Sequence, residues 1–303
     1  MIPETQAPHW EWYYIAMYFY IGGISAGAYF IGSLLEFFGN KRYHELSRTA
    51  YTIAFPLICI TPILLIADLG RPVRFWHLFF YTKAGIPYMN LTSPLSVGTW
   101  ALLIYSGMSF LSFLNAQAAG GPLAYPLLEK VHSLARRIPH RIYALTGSFF
   151  GFFVAGYTGV LVNTTARPLW AATDPLFGPI FIASAASTGA AAIALAMLRR
   201  KTAADEAFSQ LGSFDRIAMI LELLLIIAML LVAGQYTAPL TKGVYAVLFW
   251  GGAVVLGILA PLGLHWYGRK PGEPATSIVT MAALLVLFGG AMLRISLVQA
   301  GQL

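Results

Sequence analysis

Apolar residues along this chain gather into eight long runs, at roughly 12–38, 51–67, 94–114, 143–163, 177–198, 216–234, 243–264 and 277–299, separated by short polar stretches. A helix rises 1.5 Å per residue, so about 20 residues cross the ~30 Å hydrocarbon layer. The pattern therefore predicts an all-α integral membrane protein with eight transmembrane helices. The first run begins with no basic residue between Met1 and His9 and is too long for a signal-peptide core, so it reads as a helix and not as a cleaved leader. Trp10, Trp12, Tyr13 and Tyr14 crowd its start as an interfacial aromatic belt does.

Composition agrees and narrows the class. Of 303 residues 58% are hydrophobic and 10% charged, and the mean hydropathy is +0.70. Soluble domains carry about 25% charge, and a disordered chain or a disulfide scaffold is excluded as well. The single cysteine, Cys59, argues against a structural zinc or an iron–sulfur centre bound by this chain alone. A net charge of +7 raises nucleic acid as a partner, but the distribution argues against it. Of the 19 Lys and Arg, 13 fall in alternate gaps: Lys41, Arg42, Arg48, then Lys130, Arg136, Arg137, Arg141, then Arg199, Arg200, Lys201, Arg216, and last Arg269 and Lys270. The other gaps hold Arg71, Arg74, Lys83, Arg167 and Lys242, and Arg294 lies inside the last run. By the positive-inside rule the rich side is cytoplasmic, which puts both termini outside.

Three connections carry more information. Residues 68–93 are the longest outer segment, and Phe75, Trp76, Leu78, Phe79 and Phe80 among Arg71, Arg74 and Lys83 predict an interfacial helix. Asp68-Leu-Gly-Arg-Pro72 reads as a helix stop with Gly70 in a left-handed C-cap, or as a buried Asp68–Arg71 charge pair organising an outward-facing site. Ser93-Pro94 reads as an N-cap with proline at the first helical position. The inner segments 115–141 and 199–215 read as solvated connectors. Gly23 and Gly27, and again Gly147 and Gly151, have the small-xxx-small spacing that lets helices approach closely.

The permitted chemistry is limited. Haem held within the bilayer needs facing histidine pairs, whereas His44, His132, His140 and His265 fall at inner ends and His9 and His77 at the outer edge. Glu222 is the one acidic residue well inside a run, and Glu36, near an inner end, reads as reaching water. Arg294 must pair with a carboxylate, find carbonyls or snorkel. Tyr18 lies six residues inward from Trp12 and Tyr157 six residues before Asn163, so both phenols sit roughly 9 Å deep on the outer side. With Asp68, His77 and Arg167 nearby, they are the polar groups a mostly apolar pocket uses to orient a lipophilic ligand.

Four stretches, WYYIAMYFYIGGISAGAY (12–29), Asp68 to Pro72, Gly156-Tyr-Thr-Gly-Val-Leu161 with Arg167-Pro-Leu-Trp170, and Gly289-Gly-Ala-Met-Leu-Arg294 with Ala300-Gly-Gln302, resemble the NrfD-like membrane subunits typified by the polysulfide reductase anchor. The resemblance implies two four-helix bundles: helices 1–3 with the outer segment in 1–141, helix 4 completing the first bundle in 142–175, and a second bundle in 176–303. It implies a bacterial or archaeal cytoplasmic (inner) membrane location, and exchange of electrons between a quinone pool, menaquinone or ubiquinone, and a partner. That partner would be a four-cluster ferredoxin-like iron–sulfur subunit on the outer face, usually joined to a molybdopterin catalytic subunit. No haem or metal would be bound by this chain, and its remaining surroundings would be lipid, not nucleic acid.

Carried onto this chain, the family tyrosine that hydrogen-bonds a quinone carbonyl matches Tyr157. The first-helix asparagine and histidine of the polysulfide reductase type fall at Tyr14 and Met17. Since Met17 cannot transfer a proton, Tyr14 or Tyr18 takes over the hydrogen bond, or Asp68, His77 or His9 supplies the proton acceptor. A phenol of pKa ~10 is a poor base at neutral pH, which favours Asp68 or His77. The expected set is thus Asp68, His77 and Tyr157 for catalysis, Tyr14, Met17, Tyr18, Thr158, Arg71, Arg167 and Trp170 for binding, and Glu222 and Arg294 for a proton path. The other role in view is an anchor or a small-molecule or proton transporter without quinone chemistry.

Overall fold

The computed structural model describes residues 10–38, 43–83, 86–118, 126–165, 167–200, 205–267 and 276–303. His9, Lys41, Arg42, Lys201, Arg269 and Lys270 lie outside them. Among the described residues eight helices are long and apolar enough to cross a membrane: α1 Trp12–Phe38, α2 His44–Asp68, α3 Pro94–Ala118, α4 His140–Asn163, α5 Phe177–Arg199, α6 Ser209–Thr241, α7 Gly243–Trp266 and α8 Thr276–Ala300. The start of α1 and the end of α8 share one face, here the terminal face; the opposite one is the loop face.

Packing follows two groups of four. α1 contacts α2 and α4, while α3 contacts α2 and α4; α5 packs on α6 and α8, and α7 on α8. The groups meet where α5 lies against α1 and α4. At that seam a Cβ on Gly27 would fall 1.8 Å from the Ala185 carbonyl oxygen, and one on Gly189 2.4 Å from the Gly27 carbonyl carbon. The Gly23/Gly27 spacing thus does what the pattern predicts, bringing α5 to backbone contact.

Local chemistry explains the irregular stretches. α2 contains Pro56 and Pro62. Pro62 lacks an N–H, so the Ile58 carbonyl loses its helical donor, and the Thr61 hydroxyl supplies one at 2.8 Å. α1 opens with a π-helical turn, Trp12–Ala16, and α7 is π-helical over Val247–Leu259.

Several expectations change. Gly70 is not left-handed; α2 ends at Asp68 with Leu69 already extended at φ −68°, ψ 127°. The outer segment is not one interfacial helix but a 3-10 turn, Pro72–Leu78, kinked at Arg74, followed by an antiparallel pair, β1 Tyr81–Lys83 and β2 Ile86–Tyr88. With no buried residue on that turn, apolar packing does not extend it into a helix. The segment is pinned to α3 through Trp100, whose indole N–H donates to the Phe79 carbonyl at 3.1 Å while the Phe79 and Phe80 rings meet it edge-on. The connector 115–141 contains a helix, Pro126–Ala135, that turns His132 and Ala135 inward. The connector 199–215 is helical from Asp205 and runs straight into α6.

Candidate functional site

The first group's terminal end is built around Tyr157. Its phenol is 7% exposed and donates to the Pro94 carbonyl at 2.7 Å, in the first turn of α3. Proline at that first position starts the helix at a fixed depth, and its carbonyl becomes the anchor for the phenol. The ring stacks on Phe153 at 5.8 Å and covers Gly98: a Cβ there would lie 2.1 Å from the ring. Phe153 and Val160, on either side along α4, are exposed on the outer surface of the helix set, so the phenol lies one side chain away from the lipid-facing surface.

Tyr18 is 3% exposed, belongs to the same apolar cluster, and is close enough to interact electrostatically with Tyr157. The two phenols, on α1 and α4, are thus within electrostatic reach of each other in one cluster. Tyr14 and Met17 are half-buried on the turn above, with the Tyr14 ring against Tyr13 at 4.6 Å. Asp68 is half-buried at the end of α2, within electrostatic reach of Glu11 and Tyr13 at the mouth of the π-helical turn. A carboxylate at a helix C-terminus faces the negative end of the macrodipole, so helix stability does not account for its place.

Other expected residues lie elsewhere. Arg71 is exposed and makes no ion pair with Asp68, so the anticipated buried charge pair does not form. His77 is also exposed, stacked on Trp76 at 3.7 Å in the 3-10 turn. Thr158 points into the helix interface and donates to the Ala155 carbonyl at 2.8 Å.

Arg167 and Trp170 belong to a separate knot that ties the two chain ends together. The Trp170 indole donates to the Leu297 carbonyl at 2.9 Å and stacks on Trp10 at 5.3 Å, and Arg167 donates to the Gln302 carbonyl at 3.1 Å. The side chains of Gln299 and Gln302 in turn donate to the Trp10 carbonyl. These contacts bring Arg167-Pro-Leu-Trp170 and Ala300-Gly-Gln302 together. They do not bring it to Tyr157.

Arg294 is 1% exposed at the seam between the two groups. Its guanidinium donates to the Ser184 hydroxyl and to the Gly290 and Phe181 carbonyls, and lies 5.1 Å from the Phe181 ring centroid. Glu222, 4% exposed, lies within electrostatic reach of Arg294, and both are buried, so neither snorkels. Sequence reading took Pro94 only as a helix start and missed Gly98, Phe153 and Glu11 at this end. Of the three missed, Glu11, an acid beside the aromatic belt, left a signal in the sequence.

The comparisons with known proteins decide the family. A family model described as "Polysulphide reductase, NrfD" matches residues 3–303. The chain belongs to that family. Among curated relatives of this NrfD-family protein, a polysulfide reductase chain of Wolinella succinogenes is 28% identical, over 97% of the present sequence and 94% of its own length. Protein NrfD of Escherichia coli is 27% identical over 99% and 98%. A putative dimethyl sulfoxide reductase membrane subunit of Halobacterium salinarum is 24% identical over 58% and 40%. With eight spans, the NrfD-family chain is a multi-pass membrane protein.

Proposed function

We propose that this NrfD-family chain is the membrane subunit of an oxidoreductase complex and exchanges electrons between a membrane quinone and an iron–sulfur partner subunit, itself joined to a molybdopterin catalytic subunit. The observation that carries the reading is Tyr157, a phenol held by a single carbonyl, in an apolar cluster, one ring away from lipid. Its surroundings suit a quinone headgroup: apolar walls one side chain from the lipid-facing surface, a phenol donor, and a carboxylate, Asp68, at the same end of the helix set.

Tyr157 exchanges its bond to Pro94 for one to a quinone carbonyl, and Tyr18 offers a second hydroxyl at the same level. Oxidising a quinol removes a proton with each electron, so a base must stand at the other carbonyl end. Asp68 suits this role better than His77, which is exposed and stacked on Trp76. Tyr14 and Met17 line the approach. Thr158, Arg167 and Trp170 support the scaffold and Arg71 lies on the surface. The uneven Lys and Arg distribution supports a loop face in the cytoplasm of a bacterial or archaeal cell, with the partner on the outer, terminal face.

Glu222, Ser184 and Arg294, with the partly buried pair Asp215 and His265 at 3.3 Å, form the start of a proton path through the second group. Extraction of quinone from the purified complex, together with its reaction with 2,3-dimethyl-1,4-naphthoquinol, tests the main reading. A complex that neither contains nor reacts with quinone overturns it and leaves an anchor or transporter.

A further inference from the structure

At the loop face the first four helices surround a cavity of about 500 Å³ that the reading above does not use. The first turn of α2 reaches it through His44 and Glu45, the first residue of α4 through His140, and the end of α3 through Asn115 and Ala116. The helix Pro126–Ala135 contributes His132, and Arg48 and Arg136 line the cavity as well.

The acidic groups around it already have partners. Glu36 does more than reach water here: one carboxylate oxygen meets Nδ1 of His140 and the other accepts the Tyr51 phenol at 2.7 Å. Glu45 pairs with Arg48 at 2.9 Å, and Nε of Arg48 donates to the Ala116 carbonyl at 3.0 Å, against the negative end of α3.

The groups left over are donors. No side chain caps the start of α2 or of α4, so each turns the unpaired N–H groups of its first turn and the positive end of its dipole toward this face. Arg136, on the exposed rim, makes no ion pair among the described residues. His132 decides the matter. It is 7% exposed, lines the cavity, and its Nε2 is buried without a hydrogen bond among the described residues. Native structures rarely leave such a nitrogen unpaired, and a ligand in the cavity supplies the missing partner. Nε2 of His140 is in the same condition; with Nδ1 turned to Glu36, its doubly protonated ring offers one more hydrogen.

Two helix N-termini, buried imidazoles and a guanidinium around one space suit an oxyanion with several acceptor oxygens. The cavity lies at the inner helix ends, the level at which basic pockets between membrane helices take lipid headgroups. We propose that it is a phosphate-binding site, which takes the phosphodiester of an anionic phospholipid or a free phosphate ion through His132, Arg136 and the first turns of α2 and α4. The ligand stands in for the absent caps and ties the inner ends of these helices together. The proposal does not depend on the quinone reading.

The test uses the purified full-length chain with its copurifying subunits. Binding of radiolabelled inorganic phosphate is measured by equilibrium dialysis. In parallel, lipid retained from micelles of dioleoylphosphatidylcholine with graded dioleoylphosphatidylglycerol is counted by native mass spectrometry. One tightly held phosphate or phosphatidylglycerol per chain is expected, with a raised thermal midpoint. Phosphate binding without retained phosphatidylglycerol assigns the site to the free ion; retained phosphatidylglycerol that phosphate does not displace assigns it to lipid. His132→Asn should weaken binding of the active probe at least fivefold. Because His132 is buried, Arg136→Gln on the rim covers the case in which that variant fails to assemble, and should weaken binding at least threefold. Arg137→Gln, next in the chain and outside the cavity lining, is the control. Binding of neither probe by the wild type, or binding by either assembled variant as tight as in Arg137→Gln, overturns the site.

Discussion

The ring of Tyr157 occupies the space a side chain at residue 98 would need: a Cβ on Gly98 would sit 2.1 Å from its Cζ atom and 2.5 Å from its hydroxyl oxygen. The position of the phenol is therefore set by an absence on the neighbouring helix. Gly98→Ala must displace the ring, break the bond to Pro94, and lower quinol-dependent reduction by about tenfold or more, roughly 1.4 kcal/mol in the barrier. Gly107→Ala, on the same helix but facing open space, is the control and should keep the wild-type rate. Equal rates in the two variants would show that the phenol's place is irrelevant.

The knot at the chain ends gives a prediction of a different kind. Trp170→Phe loses the bond to the Leu297 carbonyl and should cost about 1 kcal/mol of stability, read as a lower thermal midpoint in detergent, with KM for quinol unchanged. Gly301→Ala should be worse, because its Cβ would fall 1.7 Å from the Trp170 indole nitrogen. A raised KM in Trp170→Phe without loss of stability would return Trp170 to the binding site.

At the seam, removing one of two neighbouring buried charges leaves the other uncompensated. Arg294→Met and Glu222→Gln should each destabilise the protein. The double variant should lose less than the sum, because the second change removes the charge that the first had stranded. Strict additivity in thermal or denaturant unfolding would deny the coupling between Glu222 and Arg294.

Orientation is testable without activity. In a Cys59→Ala background, single cysteines at the exposed positions Thr164, beyond α4 on the terminal face, and Arg137, on the loop face, should react with an impermeant maleimide from opposite sides of the membrane. Labelling of Thr164→Cys from outside intact cells is the expected result; labelling of Arg137→Cys instead would invert the assignment.

Much of the fold was readable because hydropathy marks what lipid must cover. α1 and the end of α4 fall where the apolar runs place them. α2 begins at His44 and not near 51, and α6 reaches from Ser209 to Thr241, because helix ends that project past the hydrocarbon carry Glu45, Arg48 or Asp215 and lose the apolar signal. Tyr157 and Tyr18 could be matched by depth, which needs only the rise per residue. Arg167 and Trp170 could not be separated from them, since which face a short connecting helix turns to its neighbours is a tertiary fact. The buried hydroxyls of α1 show both sides of this limit. Ser25, Tyr29, Ser33 and Glu36 recur at spacings of four, four and three in the sequence, but their partners on α2 and α3 appear only once the helices are packed.

Quinol-dependent reduction of the partner's iron–sulfur clusters in the purified complex, measured in Tyr157→Phe beside the wild type and Asp68→Asn, tests the central claim most directly. Loss of one positioned hydrogen bond of about 1.5–3 kcal/mol predicts a rate ~10–100-fold lower in Tyr157→Phe, with the thermal midpoint lowered by no more than loss of the Pro94 bond, about 1 kcal/mol, accounts for, and loss of the base predicts a comparable fall in Asp68→Asn. Wild-type rates in both variants would contradict the account.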